Sequence, residues 1–150
     1  MKRWLSAPVC LVIAVLFAAC SSQSVSDVGT TTLSASAPTR IELGIYSGRA
    51  DPQWQLTAEQ AQALDQLIAS LPTQSGVPAS GGLGYHGFSI VRSDSTQIAY
   101  QGTVASSDPK ADTYRVDATF SIERFLLDTG RGVLNDVEIA EVTKGLPPQH

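Results

Sequence analysis

Ile41, Leu43 and Ile45 alternate with Arg40, Glu42 and Gly44, and this period of two predicts a half-buried strand. Ser47-Gly48-Arg49 and Asp51-Pro52 break the alternation. Thr57 and Gln60 then form a capping-box signature, after which Ala61, Leu64, Leu67, Ile68 and Leu71 recur at helical spacing up to Pro72. The pattern predicts a helix with Leu64 and Leu67 on its buried stripe. Residues 72 to 84, rich in Pro, Gly and Ser, predict a long loop. Phe88 and Ile90 open a second strand, and Ser93-Asp94-Ser95 follows as a turn. Ile98, Tyr100, Gly102 and Val104 make a third strand, and Tyr114, Val116, Ala118 and Phe120 a fourth. The last three strands are expected to form an antiparallel meander. Ile122, Phe125 and Leu126 predict a second helix ending near Gly130, and Asn135 with Glu138 caps a third that reaches Gly145. The order implies an α+β domain over residues 40 to 146: a small, mostly antiparallel sheet of about four strands, with two or three helices on one face and a tail at 147 to 150.

The first 39 residues follow a different pattern. Met1, Lys2 and Arg3 precede an uncharged apolar run, Leu11 to Phe17, which ends in Ala18-Ala19-Cys20. That is the layout of a signal peptide over residues 1 to 19. The apolar stretch from Trp4 to Ala19 is shorter than the roughly 20 residues a membrane-spanning helix needs. Phe17-Ala18-Ala19-Cys20 resembles the lipobox of bacterial lipoproteins, although leucine is usual where Phe17 stands. The resemblance covers residues 1 to 21. It implies cleavage before Cys20, a thioether-linked diacylglycerol on that cysteine, acylation of the new amino group, and export to a bacterial membrane. With Ser21 following, the outer membrane is implied for a Gram-negative cell. An ordinary signal peptide with a chance cysteine is the alternative. Residues 21 to 39 are dominated by Ser and Thr, with no aromatic residue, and read as a tether. Its root-mean-square span is about 24 Å for such a flexible chain.

Charge and cysteine count narrow the function classes. The chain has ten basic and fourteen acidic residues; without Lys2 and Arg3, eight basic residues remain, a balance of −6. An acidic domain disfavours nucleic acid as a partner and a polybasic hold on anionic lipid, which leaves the lipid on Cys20 as the membrane link. Cys10 falls in the removed segment and Cys20 is consumed by lipid, so no thiol remains for a disulfide or a thiolate metal site. No cofactor and no metal are expected.

The candidate chemistry lies mainly in Tyr46-Ser47-Gly48-Arg49-Ala50-Asp51-Pro52-Gln53-Trp54. A sugar or peptide could stack on Trp54 and hydrogen-bond Arg49 and Asp51, with Tyr46 a further binding candidate in the same segment. The competing reading makes Trp54 a core plug, with Asp51 in an Asx-turn before Pro52 and Arg49 paired with Asp51. The string resembles segments of small uncharacterised bacterial proteins, which implies no activity. Gly81-Gly82-Leu83-Gly84-Tyr85-His86-Gly87 leads into a strand rather than a helix and carries no lysine, so it reads as turn glycines and not a phosphate cradle. His86 is the remaining binding candidate and a conceivable base toward Ser47 or Ser89, but no Gly-x-Ser-x-Gly elbow is present. Asp128, Asp136, Glu138 and Glu141 suit helix ends and solvated helix faces as well as an acid/base couple. Two classes stand: a noncatalytic envelope binding or accessory module, meeting an envelope glycan or protein, and a small envelope hydrolase using His86 with Ser or Asp.

Overall fold

A computed structural model describes residues 38 to 78 and 84 to 148. The proposed signal peptide, Cys20 and nearly all of the tether lie outside the described residues, as do Gly81, Gly82 and Leu83 of the glycine-rich run.

The architecture is α+β: an antiparallel sheet with three helices. Its strands are β1 (Arg40–Gly44), β2 (Gln53–Gln55), β3 (Thr73–Ser75), β4 (Gly87–Val91), β5 (Thr96–Tyr100), β6 (Thr103–Ser106) and β7 (Thr113–Val116). The helices are α1 (Ala58–Ser70), α2 (Ser121–Gly130) and α3 (Asp136–Gly145). Seven strands run in the order β2-β1-β4-β5-β6-β7-β3, against the expected four or so.

The difference has two physical sources. Gln101 and Gly102 both take positive φ, 48° and 71°, and turn the chain within the run from Ile98 to Val104. A hairpin with two such central residues keeps apolar alternation on both sides of the turn, so two strands look like one. The edge strands β2 and β3 have only three residues each, mostly Gln, Thr and Ser, and carry no alternation to detect. The fourth expected strand also stops early, at Val116, because Phe120 enters the left-handed region (φ 57°) to start α2.

Register puts one apolar face together. Ile41 lies between Trp54 and Ile90, while Leu43, Phe88, Ala99 and Val104 follow one another across adjacent strands. These residues are buried with Leu64 and Ile68 of α1, Ile122 and Leu126 of α2, and Val142 of α3. Leu67, expected to be as buried as Leu64, is only partly covered, whereas Ile68 takes the second fully packed place on α1.

Both capping boxes form. Thr57 Oγ1 accepts from Gln60 N at 3.2 Å while Gln60 Oε1 accepts from Thr57 N at 2.9 Å; Asn135 and Glu138 do the same for α3. Arg115 of β7 donates to the carbonyls of Leu71 (2.9 Å) and Ala69 (3.4 Å), satisfying the C-terminal end of α1 from across the fold.

Candidate functional site

The loop from β1 to β2 is organised by Asp51. Its Oδ1 accepts from the backbone N–H groups of Ile45 (3.0 Å) and Tyr46 (2.8 Å), two donors freed where β1 ends. With that carboxylate turned to the backbone, Arg49 does not pair with it. The guanidinium lies instead over the Tyr46 ring, 3.3 Å from its centroid, in a cation–π arrangement. The Tyr46 hydroxyl donates to Glu138 Oε1 at 2.5 Å, tying the loop to the first turn of α3. That bond is the main reason the Tyr46 pKa is raised, followed by desolvation; the charge of Arg49 acts in the opposite sense.

Trp54 faces away from this cluster. It is 7% exposed, meets Phe88 edge to face at 6.2 Å, and donates from Nε1 to Thr129 Oγ1 at 3.1 Å. A Cβ on Gly130 would come within 2.8 Å of its ring, so α2 approaches the indole through a glycine. The ring offers no face for a ligand to stack on.

His86 pairs with Gly44 at the end of β1. Its backbone N–H donates to the Gly44 carbonyl at 2.7 Å, and ring Nδ1 lies 3.3 Å from the same oxygen. Among the described residues neither a serine nor a carboxylate is hydrogen-bonded to this ring. Tyr46, Arg49 and Asp51 thus come together, Trp54 belongs to the core, and His86 lies apart.

His86 instead borders a hollow of about 420 Å³, a volume within the range of small-molecule sites. Ile98 and Ala105 pair across β5 and β6 on the sheet face opposite Ala99 and Val104, and both line it. Val77, Pro78, Tyr100, Pro109 and Ala111 add to the apolar lining, with Asp108 among the polar groups. Sequence reasoning placed Ile98 and Tyr100 in a strand without joining them to the rest of this lining. The signal available was Ile98 itself, an apolar residue on the face the helices do not cover.

The buried carboxylates were a second omission. Glu123 is 2% exposed; its Oε1 accepts from the Tyr85 hydroxyl at 2.6 Å and its Oε2 from Gly102 N at 2.8 Å. Asp117 accepts from Ile122 N at 2.7 Å and from the hydroxyls of Thr119 and Ser121, thereby capping α2 in place of a side chain at Phe120. Burial foremost, then the charge and hydrogen bond of Glu123, push the Tyr85 pKa far upward. The acids near the C-terminal helices have local roles: Asp128 pairs with Arg131 at 2.8 Å and Glu141 with Lys144 at 2.7 Å. Among the described residues no group of three or more His, Cys, Asp or Glu is placed to hold a metal ion.

Comparison with protein-family models, curated proteins and solved structures finds no match to this chain.

Proposed function

We propose that the chain is a lipid-anchored protein of the bacterial cell envelope, held through Cys20 and acting as a noncatalytic binding or accessory module. The observation that carries this reading is the sequence Ala18-Ala19-Cys20 at the end of an apolar run with a basic start. Several acyl chains on one cysteine hold a protein far better than a single chain does. The tether of Ser and Thr then sets the folded part off from the headgroups, toward the outer membrane in a Gram-negative cell. The accessory role draws on the polar groups of the fold: Asp51, Asp117, Glu123 and Glu138 are each committed to backbone donors or tyrosine hydroxyls. Groups held in this way stabilise a scaffold rather than move protons for a substrate.

The anchor is tested by replacing Cys20 with Ser and fractionating cells. An unprocessed, membrane-associated precursor is the expected outcome, and mass spectrometry of the wild-type N-terminus finds lipid on Cys20. Normal processing of the variant to a free mature form, or an unmodified wild-type thiol, would refute the anchor.

A further inference from the structure

The loop after β1 holds a cation that the fold itself does not use. Among the described residues Arg92, Arg131 and Lys144 make ion pairs, and Arg115 and Arg124 donate to backbone carbonyls. Arg49 makes no ion pair among the described residues, although two carboxylates belong to its cluster. Asp51 is turned to the N–H groups of Ile45 and Tyr46, and Glu138 accepts from the Tyr46 hydroxyl and from Asn135 N. The Arg49 guanidinium is nevertheless held in place. With its central carbon 3.3 Å from the Tyr46 ring centroid, the planar group lies flat on the ring. Stacking engages its face and leaves the N–H fork, which lies in the plane, for an acceptor. The ring beneath is fixed in turn by the hydroxyl bond to Glu138 at 2.5 Å and by the grip of Asp51 on the Tyr46 backbone at 2.8 Å. Fixing a long side chain before an acceptor arrives lowers the entropy cost of binding one. The approach is open as well: Arg49 is exposed, and a Cβ added to Gly48 beside it would meet nothing within 4 Å.

The surroundings narrow the class of anion. A guanidinium edge matches the two oxygens of a carboxylate. Asp51, Glu138 and Asp136, the last exposed on the first turn of α3, disfavour a phosphate carrying two negative charges. Val137, on that same turn, is 77% exposed and supplies an apolar contact beside the charge. We propose that Arg49, laid on Tyr46, binds the carboxylate of a peptide whose adjoining small apolar side chain lies against Val137. The proposal rests on the binding-module reading and gives that module a site and a ligand class.

The test uses the full-length protein in a neutral detergent and measures saturation transfer to the methyl groups of acetyl-alanyl-alanine with a free C-terminal carboxylate. Saturable transfer is expected, and the C-terminal amide of the same peptide should bind at least about tenfold more weakly, as loss of a charge-assisted contact requires. Arg49→Gln should show the same loss. Arg49→Lys keeps the charge without the planar fork and should weaken binding about fivefold. Tyr46→Leu removes the platform and should weaken it comparably, with the melting temperature recording that the fold is kept. Lys144→Gln deletes an equal charge at the other end of α3 and should bind as the wild type does. Equal binding of acid and amide, or unchanged binding in Arg49→Gln, would overturn the site while leaving the binding-module reading in place. Displacement of the peptide by an equal concentration of inorganic phosphate would overturn the choice of a carboxylate, and absence of saturable transfer would overturn the proposal outright.

Discussion

Tyr85 and Glu123 form a contact that titrates in only one direction of interest. Because burial and the neighbouring carboxylate raise the tyrosine's pKa, the folded protein keeps a proton that the unfolded chain releases near the ordinary value of about 10. Above that pH the unfolded state binds fewer protons, so stability is fully present below about pH 10 and falls as pH rises, by up to about 1.4 kcal/mol per pH unit. Urea unfolding between pH 8 and 11 is expected to show this loss. Tyr85→Phe should be less stable at pH 8, since it leaves Glu123 without one donor, but should lose less on going to pH 11. An equal slope in the two proteins would mean that Tyr85 is not the titrating group. Trp54 gives a second measurement at this scale. Its burial against Phe88 and Gly130 means that Trp54→Ala should cost about 3–5 kcal/mol, read from the shift in urea midpoint. A variant that unfolds like the wild type would restore Trp54 as a surface residue. The type of this residue told little in advance, because a tryptophan beside Arg and Asp in a loop looks the same whether it plugs a core or faces a ligand.

At the scale of elements, α1 shows why some features could be read early. Thr57, Gln60 and the apolar spacing that follows are local signals, and local hydrogen bonds realise them. The same holds for Asn135 and Glu138. The stripe was less sharply defined than the ends: Leu64 and Leu67 share a face, but only the first is fully enclosed. Leu64→Ala should therefore cost about 2–5 kcal/mol and Leu67→Ala less than half as much, by chemical denaturation. Equal losses would mean that the helix is rotated from its observed setting. The strands β2 and β3 escaped because nothing in Gln53–Gln55 or Thr73–Ser75 alternates; their place is given by pairing partners distant in sequence. The Tyr46–Glu138 bond was equally hidden, since its members stand 92 residues apart. The lining of the hollow was out of reach for the same reason, being drawn from segments around Val77, His86, Ile98 and Asp108.

For the whole molecule, periodicity speaks to the domain from Arg40 onward. The α+β class followed from the order of elements, while the width of the sheet depended on edge pairings that periodicity does not record. That strand order also imposes a sequence in time. β4, β5, β6 and β7 are neighbours along the chain as well as in the sheet, so they close with short loops. β1 must find β4 across a separation of at least 87 − 44 = 43 residues, between Gly44 and Gly87, and β3 must find β7 across 40, between Gln74 and Tyr114. Loop closure is paid before such distant contacts give anything back, which favours a nucleus in the central hairpins and late arrival of both flanks. In stopped-flow experiments Val104→Ala, in β6, should chiefly slow folding, whereas Leu43→Ala, in β1, should chiefly speed unfolding. If Leu43→Ala slows folding as much as Val104→Ala does, the flanks are not late. With that order, the newly collapsing chain presents β4 and β7 as temporary sheet edges, and its interval of exposure to wrong partners lasts until β1 and β3 arrive to cover them.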